Sequence, residues 1–171
     1  MGANILILGG GVGGLVAANE LRKLLSKEHP ITLVDRAPSF VFSPSLLWLL
    51  IGERTAKQIT RPLARLQRKG IDLVVGEIQR VDPKQREVII DGQSRSFDFL
   101  VIALGAELFP ESVPGLAEAQ HNIYTLRGAE TFHQALTEFR GGRIVVLTAA
   151  PAYKCPAAPY EAAMLVDQRW S

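Results

Sequence analysis

A glycine-rich turn near the N-terminus is the feature that most constrains the fold. Residues 4–8 form the apolar run that is typical of a strand covered on both faces of a parallel sheet. The sequence Gly9-x-Gly11-x-x-Gly14 follows, and leucine and alanine then recur at helical spacing over residues 15–25. A second apolar run, residues 31–34, is closed by Asp35. This order predicts a βαβ unit whose first strand lies centrally in its sheet.

The glycines of this turn predict a dinucleotide-binding site, because backbone rather than side chain must approach a diphosphate. We expect the N–H groups of residues 12–15 to donate to phosphate oxygens, with the helix dipole behind them. The Asp35 carboxylate would accept hydrogen bonds from ribose hydroxyls, and Gly13 adds a further position without a side chain. The alternative is a glycine-rich turn that binds no ligand.

The middle of the chain predicts a short helix and then a β-meander that leads into a buried strand. Ser43 and Pro44 are typical of an N-cap and a first helical residue, and Gly52 of a helix end. The predicted strands are residues 73–81, 87–90 and 97–104, with a hairpin turn at Asp91-Gly92.

The last third of the chain predicts the start of a second α/β unit. The expected elements are a connection at 105–120, a helix at 129–139, a buried strand at 143–147 and a proline-bearing loop at 151–159. A final helix begins near Pro159. We expect the chain to stop soon after that helix starts, as a truncated form of a longer protein.

Composition excludes several classes of function. With 19 basic and 17 acidic residues among 171, the net charge gives no electrostatic reason to expect nucleic-acid binding. A basic stretch at Arg61, Arg65, Arg68 and Lys69 is more often a solvated helix face. Cys155 is the only cysteine, which excludes a disulfide within the chain, and the three histidines lack metal-ligand spacing, so we expect no metal.

The sequence also bears on location. The N-terminus has no secretory pattern, and the most apolar stretch, residues 40–51, is too short to cross a bilayer. We therefore expect a cytoplasmic protein, with peripheral contact to the inner face of the membrane left open.

The segment Asp98–Ala106 resembles a segment of flavoproteins that have two dinucleotide-binding domains. It reads Asp-Phe-Leu-Val-Ile-Ala-Leu-Gly-Ala, where that family has Tyr-Asp-x-Leu-Val-Ile-Ala-Thr-Gly. The resemblance implies FAD as the cofactor; the alternative is another buried strand that ends in a turn. Leu104 replaces the usual threonine, so one polar contact would be missing while the backbone approach at Gly105 survives. The cofactor-binding residues that we predict are Gly9, Gly11, Gly13, Gly14, Asp35, Arg36, Pro44, Ile78, Ala103 and Gly105.

A cysteine loop carries a second resemblance. The string Cys155-Pro-Ala-Ala-Pro-Tyr-Glu161 is similar to the cysteine segment of sulfide:quinone oxidoreductases and of the flavoprotein subunit of flavocytochrome c sulfide dehydrogenases, and Phe42–Leu46 resembles their segment near the flavin. In NADH-using flavoproteins a glycine-rich fingerprint occupies the position of this loop. No residue from 148 to 161 is glycine, so the loop is poorly suited to hold a second diphosphate.

The resemblance implies catalysis at Cys155. Sulfide would attack a disulfide between Cys155 and a cysteine outside this chain, and electrons would pass through FAD to a quinone. From the residues alone, Lys154 and the following helix N-terminus both favour the thiolate of Cys155, and the alternative is a buried structural cysteine. Many relatives carry one more cysteine, where this sequence has Tyr124. A cycle with two cysteines is therefore implied rather than one with three.

The predicted fold class is α/β, a Rossmann-like FAD/NAD(P)-binding fold in which a central parallel sheet is joined by a β-meander, truncated after the start of a second α/β unit. The predicted domains are residues 1–110, which bind FAD, and residues 111–171, which connect to the second unit and carry the cysteine loop. Two other functions stay open: an NADH:quinone or pyridine nucleotide-disulfide oxidoreductase, and a nucleotide-binding module without catalysis.

Overall fold

The computed structural model describes residues 2–119 and 121–170. Met1 and Ser171, which are the first and last residues of the two predicted domains, and Gln120 of the predicted connection therefore lie outside the described residues. The chain forms two compact units. The first comprises residues 1–40 and 61–107, and the second comprises residues 41–60 and 108–171.

A four-stranded parallel sheet is the centre of the first unit. Its strands are β1 (Ile5–Leu8), β2 (Ile31–Asp35), β5 (Asp72–Val75) and β9 (Phe99–Ile102), in the order β5-β2-β1-β9. Ile5 pairs with Ile31 on one side and with Phe99 on the other, which confirms that the first strand is central. Helix α1 (Val12–Leu24) connects β1 to β2, so the predicted βαβ unit is present.

Alternate residues of β1 supply two separate cores. Ile5 and Ile7 are buried with Ala18 of α1 and with Leu63 and Leu66 of a 3-10 helix, Leu63–Lys69. On the opposite face, Leu6 and Leu8 are buried against the β-meander, whose Val88, Ile90 and Phe97 complete that core. The apolar run at the start of the sequence therefore reflects burial on both faces of β1.

The β-meander is confirmed, with three corrections, the first being that residues 93–96, where no strand was predicted, form the strand after the Asp91-Gly92 turn. Its antiparallel strands are β6 (Ile78–Asp82), β7 (Glu87–Ile90) and β8 (Gln93–Ser96), and Asp91 and Gly92 both have positive φ in the turn between the last two. The predicted strand 73–81 is in fact two strands of different sheets, because the chain turns at Gly76. Strand β9 is a sheet edge, with Phe99 and Ile102 exposed, rather than the buried strand that its apolar sequence predicted.

The second unit is mainly helical. Its helices are α2 (Leu46–Leu50), α3 (Ala56–Ile59), α4 (Leu116–Ala119), α5 (Leu126–Glu138) and α6 (Ala158–Trp170), with 3-10 helices at Ser43–Ser45 and Pro110–Ser112. Residues of α2, α5 and α6 share one core. Strands β3 (Ser39–Val41) and β4 (Thr60–Pro62) pair where the chain passes from one unit to the other. None of the described helices has the length and apolar character needed to cross a membrane.

Two predictions in this unit are wrong. Residues 143–147 form no strand, and Val145 and Leu147 are exposed, because nothing in the described part of the chain supplies a hydrogen-bonding partner. Ser43 lies inside a 3-10 helix instead of capping α2. The last helix begins at the predicted place and runs for 13 residues.

Candidate functional site

The glycines of the first turn serve different physical purposes. Gly9 has φ of +101°, and a Cβ there would lie 2.3 Å from the carbonyl oxygen of Ala103. A Cβ on Gly14 would lie 1.8 Å from the carbonyl oxygen of Gly9, so only glycine lets α1 pack this closely on β1. Gly11 has an ordinary φ of −74°, and a Cβ there would meet nothing within 4 Å. The space at Gly11 is open to a ligand.

The N-terminus of α1 faces that open space without a capping side chain. Gly11 is the N-cap residue, and the first turn contains no acidic residue. The Leu15 N–H donates to the Gly11 carbonyl oxygen at 2.9 Å, which corrects the predicted donor set of residues 12–15. Val12, Gly13 and Gly14 remain as donors at the positive end of the helix dipole, an arrangement that suits phosphate.

Asp35 fastens the turn to the end of β2. Its Oδ2 accepts a hydrogen bond from the Gly10 N–H at 2.5 Å, and its Oδ1 accepts one from the Ala37 N–H at 2.7 Å. Each carboxylate oxygen keeps a further lone pair, so the ribose contact that the sequence predicts is still sterically and chemically open. The structure adds a second role for Asp35, which is to hold the turn in shape.

A cavity of about 290 Å³ adjoins Asp35 and the carboxyl ends of the parallel strands. It brings together several predicted cofactor residues, namely Gly9, Asp35, Arg36, Ile78 and Gly105. Crevices at this edge of an open parallel sheet are where ligands bind. Gly105 has φ of +73° and open space where a Cβ would be, so the backbone there is accessible.

An ion pair closes one side of this cavity. Arg36 Nη2 lies 2.9 Å from Glu107 Oε1, and both side chains are exposed. The hydrogen bond and charge of Glu107, followed by the charge of Glu77, raise the pKa of Arg36. Sequence reasoning missed Gly76, Glu77 and Glu107, although the glycine that follows the apolar run of β5 could have marked the turn that brings Glu77 to the cavity.

The other predicted site residues divide between the two units. Ala103 lies beside Gly9 and Gly13, and its approach to a cofactor stays a prediction. Pro44 and Cys155 belong to the second unit, so their place near a cofactor stays a prediction. No three His, Cys, Asp or Glu side chains in the described ranges are grouped as a metal site requires.

Cys155 is an exposed, free thiol at the start of helix α6. It has φ of +48°, which is unusual for a residue with a side chain, and its carbonyl oxygen accepts a hydrogen bond from the Ala158 N–H at 3.0 Å. The sequence therefore found the helix start correctly, and the exposure of Cys155 rules out the alternative of a buried structural cysteine.

Tyr124 lies near this cysteine. Its ring packs on a small core of Leu47, Ala158 and Ala162, and its hydroxyl is buried without a hydrogen-bond partner among the described residues. Burial raises the pKa of Tyr124, and the charges of Cys155 and then Tyr153 raise it further. Tyr124 is therefore close enough to Cys155 for the charge of the thiolate to raise its pKa.

With the site described, comparison with known proteins identifies the family. The family model for pyridine nucleotide-disulphide oxidoreductases matches residues 3–149. This chain belongs to the pyridine nucleotide-disulphide oxidoreductase family. Sulfide-quinone reductase of Aquifex aeolicus is 32% identical over 169 residues, covering 97% of this chain and 39% of that protein. Demethylphylloquinone reductase NdbB of Synechocystis is 33% identical over 141 residues, covering 77% of this chain and 35% of that protein.

A solved structure agrees with this membership. The crystal structure of sulfide:quinone oxidoreductase from Aquifex aeolicus superposes with a TM-score of 0.74 at 32% identity, covering 80% of this chain and 32% of that one. The Rossmann-like α/β fold class is therefore confirmed. The chain spans 39% of the length of the Aquifex relative and 35% of the length of the Synechocystis relative.

Proposed function

We propose that the first unit binds FAD and that the parent protein is a flavin-dependent oxidoreductase of sulfide. The observation that carries the cofactor assignment is the open space at Gly11, which faces the uncapped N-terminus of α1. Gly9 and Gly14 are needed by the fold itself, whereas nothing in the described chain requires a glycine at residue 11. A diphosphate approaching the backbone explains that residue.

In this proposal each part of the site holds a different part of FAD. The N–H groups of Val12, Gly13 and Gly14 bind the diphosphate, and Asp35 binds a ribose hydroxyl with its remaining lone pairs. The cavity lined by Arg36, Ile78 and Gly105 takes the adenosine end. When bound, the flavin would accept two electrons from a thiolate and pass them to a quinone.

Cys155 carries the sulfur chemistry in this proposal. An HS⁻ ion attacks the Cys155 sulfur of a disulfide that Cys155 forms with a second cysteine outside these residues. The new bond makes a persulfide on Cys155, and the broken disulfide bond releases the second cysteine as a thiolate. The exposure of the thiol and its place at the start of α6 support this role. The disulfide would re-form when the outer persulfide sulfur is transferred to a second sulfide ion, which leaves as disulfide HSS⁻, and the two cysteine thiolates give up two electrons to the flavin.

The rival function is an NADH:quinone or pyridine nucleotide-disulfide oxidoreductase. It has support from an Arabidopsis thaliana relative that is named an alternative NAD(P)H-ubiquinone oxidoreductase and is 31% identical over 152 residues. We favour sulfide because the loop after residue 147 contains Cys155 and two prolines, Pro151 and Pro156, before α6 but no glycine. The third possibility is a nucleotide-binding module that does not catalyse a reaction.

We further propose a cytoplasmic location at the inner face of the membrane for the parent, since a quinone with an apolar tail is reached at a bilayer. Sulfide and quinone are the proposed partners.

Two experiments test the proposed function. In the first, FAD is titrated into the chain and into the Gly11→Ser variant. Serine is a better N-cap than glycine by a few tenths of a kcal/mol, so we expect equal or higher stability together with at least about tenfold weaker FAD binding. Gly14→Ala is the contrasting variant, which should lose about 1–3 kcal/mol of stability because its Cβ meets the Gly9 carbonyl oxygen. Equal FAD affinity in wild type and Gly11→Ser would contradict the site.

In the second experiment, the full-length protein is titrated with sulfide and, separately, with NADH, while flavin absorbance is recorded. Sulfide should bleach the flavin of the wild type and leave that of the Cys155→Ser variant oxidised. Bleaching by NADH instead would establish the rival function. If neither compound bleached the flavin, the result would support the third possibility, a nucleotide-binding module without catalysis.

A further inference from the structure

A second cavity in the first unit has no part in the proposed flavin site. Its volume is about 480 Å³, against about 290 Å³ for the cavity at Asp35, which places it in the size range of ligand sites. Arg61, Arg65, Arg68 and Lys69 line it, together with an apolar surface that includes Leu15, Phe40 and Leu63, and no acidic residue takes part.

The 3-10 helix Leu63–Lys69 explains how charge and apolar surface come to lie together. Side chains three residues apart eclipse one another in a 3-10 helix. Leu63 and Leu66 are therefore aligned and buried in the core, and Arg65 and Arg68 are aligned and exposed. Two like charges in this arrangement repel each other. No carboxylate of the described residues forms an ion pair with either guanidinium.

A merely solvated basic face does not account for these features. A basic surface that is only solvated would not be expected to line a cavity. Here the cations line a cavity whose wall also includes the partly buried Phe40 and Leu15. Lys69 is held in place by a hydrogen bond to Asn19 Oδ1, so one of the four cations has a fixed position. Cations around an apolar cavity match a ligand with an anionic head and an apolar body.

We propose that this cavity binds an acidic phospholipid, with its phosphate between Arg65 and Arg68 and its apolar portion against Phe40. The choice of a lipid over a soluble phosphate ester rests on the proposed function, because a parent that reduces a quinone works at a bilayer surface. The net charge of the whole chain is only +2, so the attraction is local to this groove rather than general.

Co-sedimentation with vesicles tests the proposal. The chain is mixed with vesicles of phosphatidylcholine alone or with 30% phosphatidylglycerol, a composition chosen to carry negative charge. We expect binding to the acidic vesicles only. Neutralising both arginines, in Arg65→Gln/Arg68→Gln, should weaken it about 30-fold, since each basic residue contributes about fivefold.

The matched control is Arg127→Gln/Arg140→Gln, which removes the same charge from exposed positions in the second unit. We expect it to weaken vesicle binding by less than about threefold. Equal losses in the two variants, or no binding of the wild type to acidic vesicles, would overturn the proposal. So would saturable binding of glycerol phosphate without vesicle binding, which would mark a soluble ligand.

The same variants separate this proposal from the proposed function. Arg65 and Arg68 do not line the cavity at Asp35, so FAD affinity should be the same in all three proteins. A chain that binds vesicles but no FAD contradicts the flavin site alone, and one that binds FAD but no acidic vesicles contradicts the lipid site alone.

Discussion

Single residues in this chain show which constraints come from the fold and which point to a ligand. The sequence motif treats Gly9, Gly11 and Gly14 alike, but the structure separates them by what a Cβ would meet. Close backbone contacts require glycine at residues 9 and 14. Gly11 has no such contact, so its glycine points to a ligand rather than to the fold. The same separation applies to Asp35, whose hydrogen bonds to Gly10 and Ala37 give it a structural role that its pattern did not predict.

Tyr124 gives a prediction about pH. Its pKa is raised above the usual 10.0, so the folded chain holds this proton more tightly than the unfolded chain. Stability from this group is therefore complete below about pH 10 and is lost as the pH rises through the higher folded pKa. Tyr124→Phe should remove that part of the alkaline loss. It should leave stability at pH 7 unchanged or slightly higher, because the deleted hydroxyl is buried without a partner.

Urea unfolding of the two proteins at pH 7 and pH 10.5 measures this effect, and absorbance at 295 nm follows ionisation of the tyrosine. In Cys155→Ala the pKa of Tyr124 should fall part of the way back, because the charge of Cys155 is one of its causes while burial is the first. If the free energy of unfolding fell more between pH 7 and pH 10.5 in Tyr124→Phe than in the wild type, the prediction would be contradicted.

Among the elements, those with local signals were predictable from the sequence. Strand β7 was predicted with its observed bounds, because the Asp91-Gly92 turn fixes one end and both residues take the positive φ that this pair favours. Strand β1 was predictable because burial on both faces leaves an unbroken apolar run, and β2 because its apolar residues are interrupted only by Thr32 before Asp35. The break at Gly76 was missed because apolar residues recur on both sides of it, in β5 and at Ile78 and Val81 of β6, and hydropathy does not show that the two strands belong to different sheets.

Residues 143–147 show where an apolar pattern is insufficient. The pattern is that of a buried strand, but a strand also needs a neighbour to pair with, and the sequence of one segment does not state whether that neighbour exists. In the described chain Val145 is 72% exposed and Leu147 is 66% exposed. The physical consequence is that these side chains contribute little to the stability of this chain.

We therefore expect Val145→Lys and Leu147→Lys to change the free energy of unfolding by no more than about 0.5 kcal/mol. Leu136→Ala in α5 is the comparison, because Leu136 is 2% exposed and its truncation should cost about 2–5 kcal/mol. Chemical unfolding of the three variants measures both effects. A loss above about 1.5 kcal/mol in either lysine variant would mean that the segment is buried in solution.

For the molecule as a whole, the chain path divides the proposed site residues between two units. The cavity at Asp35 and the glycine turn belong to the first unit, and Cys155 with Tyr124 belongs to the second. The first unit is discontinuous in sequence, since residues 41–60 are counted with the second. The sequence-based domains, 1–110 and 111–171, stay a prediction. A prediction that cuts the sequence into continuous domains assigns neighbouring elements to the same domain. It therefore could not assign residues 41–60 to the second unit.

This division predicts how a ligand will stabilise the chain. ADP carries the diphosphate and ribose that the proposed site would bind, and at 100 times its dissociation constant it should add about 2.7 kcal/mol to the stability of the state that binds it. Hydrogen–deuterium exchange should therefore slow in both segments of the first unit, 2–40 and 61–107, even though 20 residues of the other unit separate them in sequence.

Exchange in helices α5 and α6 of the second unit should change much less with ADP, and Gly11→Ser should show little protection anywhere at the same ADP concentration. Protection limited to residues 2–40 would mean that the two segments of the first unit do not unfold together. Protection centred on residues 148–161 would place the diphosphate at the cysteine loop and would contradict the assignment to α1.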